Sequence, residues 1–178
     1  MDRKDFLKNA CGLGVCGCLL RAFDAPEAFA AATEQEQDQR LAFARYQVSK
    51  LVGFMAAGPT APACAEILEK GGRECARLGG LSAKFKGDPD GYFATARKSW
   101  GTEFSWDKEK GIITVAVAEG ECSCPLVDSK RTPPFFCHCS VGYQKESFET
   151  VFGRPVQAAL KASKLGGSKR CVFEVTLS

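Results

Sequence analysis

The sequence predicts an α+β fold, with N-terminal helices followed by an antiparallel sheet that one helix interrupts. Three observations carry that prediction. The apolar period is helical as far as Gly101 and alternating after it. Pro and Gly mark where periodic segments begin and end, as at Gly58-Pro59, Asp88-Pro89 and Gly101. The last segment, from Cys171 to Leu177, alternates cleanly, with Cys171, Phe173, Val175 and Leu177 on one face. With 178 residues, 45% hydrophobic and 25% charged, the chain has the length and composition of one globular domain plus a leader.

Residues 1–30 read as a twin-arginine export signal. Asp2-Arg3-Lys4-Asp5-Phe6-Leu7-Lys8 resembles the twin-arginine motif with Lys in the second basic position. A weakly apolar stretch from Ala10 to Leu20 follows, and Ala28-Phe29-Ala30 is an A-x-A cleavage site. The alternative is an amphipathic N-terminal helix that stays on the protein. Export would make the partner the twin-arginine machinery and the location periplasmic or extracellular. A leader that does not function would leave the protein cytoplasmic. Cys16 and Cys18 make only a poor lipobox.

The domain then spans residues 31–178. Residues 34 to about 57 form a helix, with Leu41, Ala44, Tyr46, Val48, Leu51, Val52 and Met55 in rough 3/4 spacing. A second helix starts near Thr60 and Pro62 and carries Cys64, Ile67, Leu68, Cys75 and Leu78 on its apolar side. If continuous, it holds Cys64 and Cys75 about 16 Å apart along its axis, too far for a disulfide, and both read as core thiols. Gly71-Gly72 is a candidate break. Asp88-Pro89-Asp90 opens a third helix bearing Tyr92, Phe93, Ala96 and Trp100.

The segments Thr102–Trp106 and Ile112–Ala118 then flank a charged turn ending in Gly111 and read as a β-hairpin. The second strand runs on toward Cys122. After Cys139, a helix begins at Ser140 or Gly142 and ends at Gly153, with Phe148, Val151 and Phe152 as its apolar stripe. Pro155–Ala162 and Cys171–Leu177 close the sheet as an antiparallel pair.

The chemistry sits in the loop. Cys122-Ser-Cys124 and Cys137-His-Cys139 flank twelve residues that include Pro125, Pro133 and Pro134. Connections that long are often functional. Thiols at i and i+2 of an extended segment point to opposite faces, so both serve one centre only where the backbone turns. The four sulfurs of Cys122, Cys124, Cys137 and Cys139 could cage zinc, form two disulfides, or provide a redox pair. Zinc cages more often use wider spacing. Beyond Ala30 seven cysteines remain, an odd number that rules out complete intramolecular pairing.

A net charge of +3 with no basic stripe argues against nucleic acid as a partner. No apolar run approaches the roughly 18 residues a membrane span needs.

The segment Phe148-Glu-Thr-Val-Phe-Gly153-Arg-Pro-Val156, with Ser163, Gly167 and Cys171-x-Phe173-x-Val175, resembles the C-terminal end of the L-2-amino-thiazoline-4-carboxylic acid hydrolase-like and 4-vinyl reductase-like proteins. The match covers roughly residues 120–178. It implies an α+β fold that binds a small-molecule ligand between helices and sheet, related to a Golgi-transport and nitric-oxide-sensor ligand-binding architecture. Gly167-Ser168 stands where the hydrolase-like members carry Gly-Asp.

Two functions stay open from sequence. One is an exported small-molecule-binding domain with zinc as a structural clamp on the four cysteines. The other is a hydrolase or thiol-dependent enzyme using His138, the single histidine, with Glu121 as base and Cys122 or Cys124 as nucleophile. Disulfides bracing the loop without metal are the third arrangement. No C-x-x-C, G-x-S-x-G or phosphate loop is present to favour another chemistry.

Overall fold

The computed structural model describes residues 34–178, and the export signal and its cleavage site lie outside them. Four long helices precede or interrupt four strands: α1 (Glu34–Ala57), α2 (Ala61–Gly79), α3 (Pro89–Trp100), β1 (Glu103–Asp107), β2 (Ile112–Ala116), α4 (His138–Phe152), β3 (Val156–Ala162) and β4 (Val172–Leu177). The fold is α+β, as the change of period predicts. Packing is described for the unit Phe43–Ser178.

The sheet has the order β1-β2-β4-β3 and is antiparallel throughout. Register follows from alternation. Pairing of Phe104 with Val115, Val115 with Phe173 and Phe173 with Leu160 lays one apolar row across all four strands. A second row runs Trp106, Ile113, Val175, Ala158. A slip by one residue would turn both rows to solvent, so the buried face fixes the pairing.

Helices α3 and α4 cover that face with Tyr92, Phe93, Phe148 and Val151. Asp88 caps α3 by accepting a hydrogen bond from the Gly91 N–H at 2.9 Å, and Pro89 supplies a first-turn position that has no N–H to satisfy. Phe93 stacks on Phe104 with ring centroids 4.4 Å apart, and Phe148 stacks on Phe152 at 6.1 Å. These rings fill the space between helices and sheet in which the resemblance implies a ligand pocket.

Helix α2 packs on the opposite side of α4 and is continuous through Gly71-Gly72. The glycines do not break it because the neighbouring helix needs one of them. A Cβ at Gly72 would lie 1.7 Å from the Cys139 carbonyl oxygen, and one at Gly142 would lie 1.9 Å from that of Glu69. The two backbones are therefore in direct contact. Ion pairs bracket the crossing: Arg73 binds Glu149 at 2.6 Å and Glu146 at 3.1 Å, and Lys145 binds Glu69 at 2.5 Å.

Helix α1 differs from the sequence reading. Of its apolar residues only Val52 is buried, and Leu51 and Tyr46 are exposed. Among the described residues no helix is long and apolar enough to cross a membrane.

Candidate functional site

Strand β2 ends at Ala116, so Cys122 and Cys124 lie in an irregular segment beyond it rather than at a strand end. The second pair is not extended either. A 3₁₀ turn from Pro134 to Cys137 runs straight into α4, whose first residue is His138. The helix thus starts two residues earlier than Ser140. Pro133 in extended backbone and Pro134 at the turn's first position nucleate it, since proline's fixed φ and missing N–H suit a helix start.

Local bonds and long-range anchors order the loop between the pairs. The Val127 N–H donates to the Cys124 carbonyl at 3.1 Å, and the Lys130 N–H donates to the Asp128 carboxylate at 2.9 Å. From α1, Arg45 Nε donates to the Pro125 carbonyl at 2.7 Å, and Ser49 shares a buried hydrogen bond with Thr132 at 2.8 Å. Lys164 Nζ, beyond β3, donates to the Glu121 carbonyl at 2.9 Å. No spacing rule points to these anchors.

Those anchors bring the thiols into one seam. Cys124 is raised by burial, with Cys122 and Cys75 close enough to add to the effect. Burial pushes the Cys139 thiol up to about 11, with Cys124, Cys75 and Cys137 acting on it in turn. Cys137 is buried and raised for the same reason, the Ser163 hydroxyl opposing the shift and Cys171 and Cys122 adding to it. The seam therefore contains two thiols absent from the sequence-derived site, Cys75 and Cys171. Cys75 is exposed on α2 rather than a core thiol. Cys64 stands apart, with its sulfur 3.9 Å from the Thr60 hydroxyl.

All seven of these cysteines are free. No group of three or more His, Cys, Asp or Glu side chains among the described residues is disposed to hold a metal ion. His138 lies against the Phe135 ring at 5.0 Å, and no hydrogen bond links it to a thiol or a carboxylate. Glu121 is exposed and engages the fold through its carbonyl.

Two surface clefts flank the loop. One, of about 480 Å³, is walled by Glu119, Glu121, Cys122, Ser129, Lys164 and Lys169. The other, of about 600 Å³, lies between α1 and the loop's end and is lined by Tyr46, Lys50, Phe54, Arg131 and Pro133.

No family model matches the sequence, and no curated protein does. A solved structure similar to the chain is trafficking protein particle complex subunit 3 from Naegleria fowleri, covalently bound to palmitic acid. It is 16% identical, with a TM-score of 0.49, and the match covers 80% of this chain and 97% of that one.

Proposed function

We propose that the chain is an exported small-molecule-binding protein whose C-x-C cysteines are structural, holding the loop against α2 and α4 beside a ligand cleft. The observation that carries this reading is the seam itself. Cys122 walls the cleft of about 480 Å³ and also acts electrostatically on Cys137, which is buried. Lys164, Lys169, Ser129 and Ser168 supply donors on the cleft's rim, and Glu119 and Glu121 supply carboxylates. Such a rim suits a small polar molecule bearing both signs of charge. Export rests on the Arg3-Lys4-x-Phe6-Leu7-Lys8 stretch.

The thiol chemistry favours structure over catalysis. A thiol is a nucleophile only as thiolate, and burial holds Cys124, Cys137 and Cys139 protonated at neutral pH. Zinc on the four cysteines is a second reading, favoured by the nearness across the loop that lets Cys122 act on Cys137 and Cys124 on Cys139. The same nearness would suit two disulfides. Intact mass of protein purified without oxygen, measured native and denatured, separates the three. The metal-free thiol form gives the fully reduced chain mass in both. A native mass higher by one zinc establishes the clamp instead, and a denatured mass lower by two hydrogens per bridge establishes disulfides.

A further inference from the structure

The cleft of about 600 Å³ between α1 and the end of the loop has two walls that a buried bond fixes in place. Ser49 of α1 and Thr132 of the loop share a hydrogen bond at 2.8 Å, so the helix and the loop cannot part there. Tyr46, Lys50 and Phe54 recur every four residues and form the helical wall, which runs about 12 Å along the axis. Arg131 and Pro133, on either side of Thr132, form the other. None of these residues borders the cleft beside Cys122.

The walls combine rings with cations and include no carboxylate. No acidic residue occurs between Asp38 and Glu66, so this stretch of α1 brings only positive charge. Lys50 Nζ lies 5.6 Å from the centre of the Tyr46 ring and has no carboxylate partner among the described residues. Arg131 faces Asp128 through Nε alone, at 3.7 Å, while Asp128 accepts from the Lys130 N–H at 2.9 Å. The terminal guanidinium nitrogens of Arg131 thus bond nothing among the described residues. Gly53 keeps the helical wall open, since a Cβ there would meet no atom within 4 Å. A glycine inside a helix weakens it, and unlike Gly72 this one is not required by a neighbouring backbone.

We propose that this cleft is a binding site for an aromatic carboxylate. The lining selects an anion because it holds two cations and no acid, whereas the cleft beside Cys122 carries both signs. It selects a flat body over an acyl chain because its two large apolar side chains, Tyr46 and Phe54, are rings, with no leucine, isoleucine or valine beside them. The ligand's ring stacks against these two, and its carboxylate meets the fork of Arg131 and the Lys50 ammonium. The cleft's volume suits a body of one or two fused rings.

Equilibrium dialysis of the full chain against 2-naphthoate, carried to about 1 mM, tests this. One naphthoate should bind per chain. Neutral 2-naphthamide, which has the same rings, should bind about tenfold more weakly for want of charge-assisted hydrogen bonds. Lys50→Gln with Arg131→Gln should erase that difference. Gly53→Leu, whose side chain enters open space, should abolish binding of both probes and keep the melting temperature. No naphthoate bound at about 1 mM overturns the proposal, as does equal binding of acid and amide. A Gly53→Leu chain that folds and binds like the parent also overturns it, because the ligand then sits elsewhere. Decanoate bound as tightly as naphthoate overturns the aromatic class.

Discussion

Cys139 is the residue at which the loop, α2 and α4 meet. Its carbonyl rests on Gly72, and Cys124, Cys75 and Cys137 act on its thiol. Its ionisation carries a stability consequence with a definite sign. Burial raises the thiol from 9.0 to about 11, so the folded chain keeps its proton where the unfolded chain has lost it. That contribution is complete below pH 9.0 and is lost as pH rises through about 11. Tyr92 follows the same course a unit higher, raised by burial from 10.0 to about 12. Urea unfolding followed across this range should show stability falling from about pH 9, less steeply in Cys139→Ser. A flat profile would mean that Cys139 is not buried as a neutral thiol. The C-x-C spacing singles this cysteine out, whereas Cys75, which acts on it, reads from sequence as a core thiol. Only the close approach of α2 and α4 brings residues so distant in sequence together.

At the scale of elements, the helix ends and strand alternation were legible because their causes are local. Asp88-Pro89 starts α3 where the sequence reading places it, and the alternating set Cys171, Phe173, Val175 and Leu177 faces the core. Gly71-Gly72, a candidate break from sequence, stays helical for a cause that is not local. A Gly pair lowers helix propensity, yet here the α2–α4 crossing requires Gly72 while Gly71 faces nothing within 4 Å. The two neighbours should therefore respond oppositely to the same change. Gly71→Ala is expected to raise stability by roughly 0.5–1 kcal/mol through propensity alone. Gly72→Ala forces a Cβ into the Cys139 carbonyl and should cost about 3 kcal/mol or more. Urea midpoints for the pair check this, and equal shifts would show that the helices do not touch at Gly72. The start of α4 was misplaced because Cys137-His-Cys139 has no strong helix signal of its own. The turn nucleated by Pro133-Pro134 carries it.

At the scale of the whole molecule, the α+β class was legible from one change of period, whereas the site's surroundings were not. Pocket position depends on how large side chains fill the interior. Phe93, Phe104 and Phe148 occupy the space between helices and sheet, and the clefts are displaced to the loop's two sides. Loop position depends on Arg45, Ser49 and Lys164, three side chains from distant elements with ordinary sequence surroundings. Together these place Cys124, Cys137 and Cys139 where burial raises their thiols, which is what the proposed structural role requires. Alkylation by iodoacetamide at neutral pH, resolved cysteine by cysteine through peptide mass spectrometry, tests that role across the molecule. Exposed Cys75 should react first. Cys139, held up at about 11, carries roughly a hundredfold less thiolate than a thiol at 9.0 and should lag by about that factor or more. Modification of Cys139, Cys137 or Cys124 at or above the rate of Cys75 would reveal an activated thiolate and contradict the structural reading.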